Sequence, residues 1–404
     1  MYKVNSKRKT ILIITERFYP EDFRINDLAL EWVKMGFRVK VLTQFPSYPS
    51  GTLFPGYKNS FLKKDIWNEI EIYRIFSILN YRNYLSKKLM QYFSYMILGS
   101  IFGLFIGKCD SIFVYHVGPL TDAFPAIVVK AFYRKKLTIW TSDIWPDTIY
   151  AYGFKKTKYR DFILGLFIKF IYKNCNNILV SSPGFIKKIN SYVPKKNIEY
   201  VPAWANESIN QHSSKTNIGL SPIDKFHFTF AGNIGKVQNL ENVILGFSKS
   251  NLIDKAQLNI IGDGSNLQNL KNLVINEKIK NVIFWGKKTP SEMYAFYNKS
   301  HVLIVSLIND SFLELTIPGK FQTCLLMEKP IFAIMNGDVR NIVEEEMLGF
   351  SANPSDISGI GKIFDLFVTA SKETLNAFGI KSKQYAHETY NKACLIKKVT
   401  DFIN

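Results

Sequence analysis

The sequence predicts two doubly wound α/β domains facing across a cleft. Three observations point there. Short apolar runs alternate with longer helix-like stretches from residue 10 onward. The alternation breaks at a polar, turn-rich stretch over 201–225 and then restarts. In the second half, apolar runs are followed by glycine-bearing loops. Alternating strands and helices build a parallel sheet covered on both faces, and 404 residues exceed what one ordinary core accommodates.

In the first half the strand-like runs are 10–18, 38–45, 71–77, 111–117, 137–142 and 177–182. Between the first two, NDLALEWVKMG (26–36) reads as a helix. Its Leu28, Leu30, Trp32 and Val33 include i, i+4 spacing, and Gly36 suits its end. VPAWANESINQHSSKTNIGLSPIDK (201–225) is rich in turn formers and reads as a linker. Beyond it, 226–233, 256–264, 281–286, 301–307 and 330–335 read as strands, and KQYAHETYNKACLIKKVTDFIN as helix. The expected limits are 1–205 for the first domain and 206–380 for the second. Residues 381–404 form a helical segment expected to pack back on the first. Ligands of such sheets sit at the carboxyl ends of the strands, which places the expected site in the cleft.

Composition narrows the classes. Hydrophobic residues make up 47% of the chain and aromatic residues 15%, which excludes a largely disordered protein. Cys109, Cys175, Cys324 and Cys394 stand far apart, a usage that fits a reducing compartment without disulfides or a thiolate zinc site. MYKVNSKRKTILIITERFYP has basic residues before a short apolar run but no signal-peptide cleavage pattern, so the expected location is cytoplasmic.

Charge is unevenly spread. Residues 1–200 carry 31 Lys and Arg against 14 Asp and Glu, a balance of +17, whereas residues 201–404 carry 21 against 19, or +2. A basic first half implies an anionic partner, either nucleic acid or an anionic membrane surface. LMQYFSYMILGSIFGLFIG (89–107) has no charge and follows Arg82, Lys87 and Lys88, with Lys108 after it. Its length suits a transmembrane helix. If SIFVYHVG (111–118) joins the same sheet as 10–18 and 38–45, both ends of 89–107 lie on one side of a bilayer. An interfacial helix satisfies this, and so does a core helix. KKTKYRDFILGLFIKFIYKN (155–174) mixes six cations with Phe, Ile and Leu, and YRKK (133–136) adds charge. That composition favours contact with an anionic inner-leaflet surface. Nucleic acid is disfavoured, because no zinc-finger or ribonucleoprotein motif occurs.

Candidate binding loops cluster in the second half. AGNIGK (231–236), IGDG (261–264) and WGKK (285–288) follow successive strands and supply Gly232, Gly235, Gly262, Gly264 and Gly286. Glycine there lets backbone N–H groups approach a phosphate. In LTIPGKFQTCLLMEKPIF (315–332), Pro318, Gly319 and Lys320 stand where a strand gives way to a helix. A lysine at a helix N-terminus suits a diphosphate; the alternative is a helix start with a solvated Lys320. No P-loop motif is present, and His116, His212, His227, His301 and His387 are scattered without metal-ligand spacing.

At these residues the chain resembles the retaining GT-B glycosyltransferases of family 4, in the branch that builds bacterial surface polysaccharides. RFYPEDFRINDLALEWVKMGFRVKVLTQFPSYPSG (17–51) resembles that branch's opening, TSDIWPD (141–147) its D-L-W-P-D motif, and FAGNIGKVQNLENV, IIGDG and TIPGKFQTCLLMEKP its donor loops. The resemblance implies two Rossmann-like domains and transfer from a nucleotide-diphosphate sugar, UDP-sugar favoured, with retained configuration and without metal or cofactor. The implied acceptor is a polyprenyl-diphosphate-linked saccharide of O-antigen, capsule or exopolysaccharide assembly, met by a peripheral protein at the inner membrane. Within the branch the nearest resemblance is to fucosyl- and L-fucosamine-type transferases.

The sequence also departs from the wider family. Asn233 and Gln238 stand where it places an Arg and a Lys, and Thr323 where it places a ribose-binding Glu. The cationic role then falls to Lys320, with Lys236 or Lys287 helping, and Asp263 belongs to the same loop set. Asp143 would orient the acceptor hydroxyl or the donor sugar, or else cap a helix. His116 would face the cleft or serve structure. Glu21 and Arg24 would lie near the acceptor, with Arg24 pairing the lipid diphosphate. Two alternatives stand beside this reading: a nucleotide-sugar 2-epimerase of the same architecture, and a non-catalytic membrane-associated scaffold.

Overall fold

The computed structural model describes residues 8–48, 50–80, 85–151, 156–205 and 225–403. Arg82, Lys155, His212 and most of the expected linker lie outside them. The chain divides into two units, one of Met1–Pro202 with Ala393–Asn404 and one of Ala203–Lys392.

The first unit begins with β1 (Thr10–Ile14), α1 (Arg24–Lys34) and β2 (Arg38–Gln44), followed by the hairpin β3 (Leu62–Trp67) and β4 (Ile70–Ile75). Next come α2 (Leu85–Ile106), β5 (Ser111–His116), α3 (Phe124–Tyr133), β6 (Lys136–Thr141), α4 (Asp147–Ala151), α5 (Lys158–Asn174), β7 (Asn177–Val180), α6 (Gly184–Tyr192) and β8 (Ile198–Tyr200). Its eight-stranded sheet runs β3-β4-β2-β1-β5-β6-β7-β8. All pairs are parallel except β3–β4. Every residue of β5 is buried, as expected of a central parallel strand.

Two strands of this unit lie outside the sequence expectation. β3, LKKDIW, is an exposed edge strand whose charges hide its pattern. It turns into β4 through Asn68 (φ 46°) and Glu69 (φ 66°), a two-residue hairpin with both residues left-handed. β8 is three residues long, too short for a periodic signal. The expected helix 26–36 forms as α1, but its buried face is Ile25, Leu28, Ala29 and Trp32 rather than one including Leu30 and Val33.

Helix α2 is packed inside out. Its sheet-facing side carries buried Gln91, which donates to Glu16 Oε1 (3.0 Å) and Gln44 Oε1 (2.8 Å). The buried Tyr95 hydroxyl lies 3.0 Å from Thr15 O and 3.1 Å from Leu42 O. Gly99 and Gly103 bring α2 onto α3: a Cβ at Gly99 would stand 2.8 Å from Pro125 Cγ, and one at Gly103 2.9 Å from Val129 Cγ2. Leu89, Phe93, Ile97, Ile101 and Phe105, four residues apart, are exposed instead. Among the described residues, Ser86–Ile106 is one helix long and apolar enough to cross a membrane. α5 buries Ile168, Ile171 and Tyr172 but also leaves Tyr159, Phe162, Ile163, Leu166 and Phe170 exposed.

The second unit carries β9 (Phe226–Ala231), α7 (Leu240–Ser248), β10 (Ala256–Ile261), α8 (Leu267–Asn276), β11 (Val282–Gly286), α9 (Pro290–Lys299), β12 (Val302–Ser306), α10 (Gly319–Leu326) and β13 (Ile331–Ile334). It ends with α11 (Asp338–Glu345), β14 (Gly349–Ala352), α12 (Ile357–Thr369) and α13 (Lys372–Thr389); α14 (Lys392–Ile403) follows. Its parallel sheet runs β11-β10-β9-β12-β13-β14, and β14 is a further strand the sequence does not signal. The core beneath gathers Phe228, Phe332, Phe364 and Phe367, with edge-to-face rings such as Phe228–Phe364 at 4.7 Å.

Residues of α14 return to the first unit. Trp32 Nε1 donates to Thr400 Oγ1 (2.9 Å), and Thr138 Oγ1 donates to Phe402 O (3.2 Å). Thr400→Val keeps the shape but leaves the buried Trp32 N–H unpaired. It should cost about 1–3 kcal/mol, read as a lower urea midpoint, whereas Thr400→Ser should stay near wild type.

Candidate functional site

In the second unit the strand order reverses between β9 and β12, the place where a doubly wound sheet opens a crevice at its carboxyl edge. The loops after β9, β10 and β11 meet there. Gly232 N donates to Ile261 O (3.0 Å), Ile234 N to Asp263 O (2.8 Å), and Gly262 N to Gly286 O (2.9 Å). Gly262 has φ 137°, and a Cβ on it would stand 1.8 Å from Gly232 O. This corrects the sequence expectation. The amides of Gly232 and Gly262 tie loop to loop, Gly235 N donates to Gln238 Oε1 (3.2 Å), and Gly264 N binds Asp263 Oδ1 (2.8 Å). Glycine is needed here for close approach of backbones, and these four N–H groups already have acceptors.

The anion-binding capacity therefore rests on α10. Pro318 is its N-cap, with extended backbone, and Gly319 and Lys320 begin the helix, where first-turn N–H groups have no helical acceptor. Lys320 folds back over the Phe230 ring, its Nζ 3.8 Å from the centroid. The same Nζ lies 3.5 Å from the Cβ position of Gly232, so the switch-point loops after β9 and β12 converge on one ammonium. That Nζ is buried and has no hydrogen-bond partner. Burial pulls its pKa down to about 7, slightly offset by nearby Cys324. A buried cation without a partner is a site built for an anion.

The remaining predicted donor residues divide. Asn233, Lys236, Asp263 and Lys287 are exposed at the loop tips, and Gly286 (φ 69°) has open space beside it. Gln238 is committed to Gly235 as its cap. Thr323 lies on the buried side of α10, its Oγ1 3.5 Å from Gly319 O. A hydroxyl so placed braces the first turn of α10. Among the described residues no cluster of His, Cys, Asp and Glu could hold a metal.

In the first unit the corresponding edge collects the loops after β1, β5 and β6. Asp143 follows β6 and stands four residues before α4, away from the position of that helix's cap. Its Oδ1 accepts from Thr148 Oγ1 (2.9 Å). Burial pushes its pKa up to about 7, against the lowering effects of the Thr148 hydrogen bond and the Lys88 charge. His116 ends β5, fully buried. Nε2 lies 2.8 Å from Gly118 O and is therefore the protonated nitrogen, while Nδ1 lies 3.4 Å from Thr141 Oγ1. Burial pulls its pKa down to about 4. A neutral histidine with both nitrogens engaged positions the β5 loop and does not offer a free base.

Glu21 is buried and bonded from three sides: Ser47 N (2.8 Å), Tyr48 N (2.7 Å) and Arg17 Nη1 (3.4 Å). It fastens the loops after β1 and β2, which corrects its expected place against an acceptor. Arg24 begins α1 beside the Tyr115 hydroxyl. Sequence reasoning missed the neighbouring cluster. Arg17 bridges Glu21 and Glu16 (3.1 Å), and fully buried Asp122 lies against Glu16. Burial, with the Glu16 charge beside it, holds the Asp122 carboxyl well above the usual carboxylate range. Charged residues inside the apparent strand run 10–18 were the available signal.

Comparison with known proteins decides the class. Residues 214–384 match the family described as glycosyl transferases group 1. The second unit is a group 1 glycosyltransferase domain. A probable glycosyltransferase of Pseudomonas aeruginosa, WbjE, is 22% identical over 240 residues, 57% of this chain. The chain spans 59% of the length of that relative. Among solved structures, the sucrose-phosphate synthase of Thermosynechococcus elongatus superposes with TM-score 0.74 at 12% identity, over 98% of both chains. Anabaena HepE, in complex with UDP-glucose, superposes with TM-score 0.67 at 11% identity, over 97% of this chain and 98% of its own. These likenesses show the fold, that of the GT-B glycosyltransferases.

The electrostatics of Lys320 in the glycosyltransferase domain give a pH dependence. The folded-state pKa is below the ordinary lysine value of 10.5, so the unfolded chain holds more protons between about 7 and 10.5. Burying Lys320 therefore costs stability below that window, and the cost is relieved as pH rises through it. Anion binding needs the ammonium, so a nucleoside diphosphate docked against Lys320 would have to bring a proton with it above pH about 7. Its affinity should fall about tenfold per pH unit there and flatten below. Calorimetry in buffers of different ionisation enthalpy should show proton uptake at alkaline pH. Lys320→Met should bind weakly with neither slope nor uptake.

Proposed function

We propose that the chain moves a sugar from a nucleotide-diphosphate donor, a UDP-sugar by preference, to a polyprenyl-diphosphate-linked saccharide at the inner membrane surface, with retained configuration, in surface-polysaccharide assembly of the family-4 type. One observation carries the acceptor half of this reading. The first unit turns the Leu, Phe and Ile of α2 and α5 outward, with Lys87, Lys88, Lys158, Lys169 and Lys173 exposed among them. Apolar side chains interleaved with cations suit an anionic lipid surface, where each cation contributes about 1 kcal/mol. The sequence similarity to WbjE and the UDP-glucose held by HepE support a nucleotide-sugar donor.

In this reading the donor diphosphate lies against Lys320 and the start of α10, which stabilise it as charge develops on the leaving group. The departing phosphate oxygen takes the acceptor proton, so no strong base is required. Asp143, on its loop in the first unit, orients the acceptor hydroxyl or the donor sugar. Its elevated pKa leaves it partly protonated near neutrality, able to donate or accept a hydrogen bond.

The test is transfer itself, followed by mass spectrometry with a panel of nucleotide sugars and both lipid-linked and soluble acceptors. Transfer to the lipid-linked saccharide is expected, and transfer to a soluble sugar phosphate instead would overturn the acceptor assignment. Asp143→Asn should lower turnover about 10²-fold with little change in melting temperature. Retained turnover would remove Asp143 from the mechanism. Liposome binding should rise with anionic lipid and fall only partly with salt, and Phe93→Ser with Phe105→Ser should release the protein while nucleotide affinity survives.

A further inference from the structure

Between α2 and α5 runs a groove of about 670 Å³, lined by Tyr92, Met96, Phe124, Trp145, Leu164 and Phe167. That is the volume of a small-molecule site, yet its lining is almost wholly apolar. Ile97, Ile101 and Phe105 point outward beyond it, whereas Met96, Leu164 and Phe167 are half-buried along it. Leu89 and Phe93 of α2 and Tyr159 and Ile163 of α5, which belong to the exposed stripes, also line it, so the groove opens onto the face proposed to meet the membrane. Two cations stand beside it. Arg160 lines it, and Lys88 stands over the Tyr92 ring with Nζ 6.0 Å from the centroid. The Lys88 charge reaches Asp143, and Trp145 belongs to the same loop, two residues on. Tyr92 and Trp145 meet edge to face at 6.3 Å, which joins the groove wall to that loop.

We infer that this groove holds the isoprenoid tail of the acceptor, with its diphosphate drawn toward Lys88 and Arg160; the inference rests on the lipid-linked acceptor proposed above. An apolar trough flanked by cations complements a single apolar chain with a multiply charged head. The aromatic walls and the adaptable Met96 suit flat, methyl-branched, unsaturated units. Seating the tail here sets the head beside the loop of Asp143, so the tail positions the acceptor as well as anchoring it. A tail bound only in bulk lipid would leave the head free to slide.

Binding of geranyl, farnesyl and geranylgeranyl diphosphate, below their micelle-forming concentrations, tests this without any transfer step. Affinity should rise by about tenfold or more with each added isoprene unit until the groove is filled, and inorganic diphosphate alone should bind weakly. Met96→Trp, which fills the groove, should flatten the series, and Leu164→Gln should do so by polarising it. Melting temperature serves as the folding control, and either variant suffices if the other fails to fold. A flat wild-type series, or a rising series that both folded variants retain, would overturn the groove. Equal affinity for a saturated acyl phosphate of matched length would overturn the isoprenoid assignment in favour of bulk lipid. A length-dependent series without transfer to any lipid-linked saccharide would leave the groove standing and remove the proposed function. Transfer that ignores tail length and both substitutions would do the reverse.

Discussion

The contact between Gly232 and Gly262 constrains the rest of the second unit's carboxyl edge. With a Cβ on Gly262 only 1.8 Å from the Gly232 carbonyl, two strand-ending loops can close only as bare backbone. Their amides are used up in that closure, as Gly232 N to Ile261 O and Gly262 N to Gly286 O show. The loops become a rigid floor and not an anion nest. Negative charge must then be met from across the switch point, by Lys320 and the opening of α10. Lys320 Nζ sits over Phe230 and 3.5 Å from the Cβ position of Gly232, so a side chain at Gly232 would crowd it.

The first unit solves a different problem with α2. An ordinary covering helix buries its large apolar residues and exposes its polar ones. α2 buries Gln91, Tyr95, Gly99 and Gly103 and exposes Leu89, Phe93, Ile97, Ile101 and Phe105. It is held to the sheet side by the hydrogen bonds of Gln91 and Tyr95 and to α3 by close backbone approach at the glycines. Small residues and side-chain hydrogen bonds are the means by which helices pack in lipid, where apolar burial gives no advantage. The exposed stripe gains nothing for folding in water, so its retention fits the proposed surface contact.

Much of this was legible in the sequence because the elements that matter are periodic or apolar. Strands such as β5 and β12 are buried throughout and read as unbroken apolar runs. β3 was hidden by its charges, and its turn residues Asn68 and Glu69 lack the glycine that advertises a hairpin. Lys320 was legible from the order Pro-Gly-Lys, but its resting place over Phe230 was not, since ring and ammonium are ninety residues apart. The donor glycines were recognised for the wrong physical reason, as amide donors, because sequence carries no record of which carbonyl an amide meets. Glu21 shows the same blind spot: its loop position suggested a ligand, while its three partners come from Ser47, Tyr48 and Arg17.

Burial sets the chemistry of both edges in opposite senses. It pulls the Lys320 ammonium down and pushes the Asp143 carboxyl up, each to about 7. Neither group has a full countercharge within its own unit: Lys320 Nζ has no hydrogen-bond partner, and Asp143 has one hydroxyl and the more distant Lys88. Each is therefore poised to change protonation when a ligand arrives. A diphosphate would return Lys320 to its charged form, and a cationic or oxocarbenium-like centre would do the same for Asp143. The cost of keeping both groups under-compensated falls on the free protein and is recovered only when charge appears beside them. That is the arrangement expected where interactions strengthen on going from substrate to transition state rather than on binding alone.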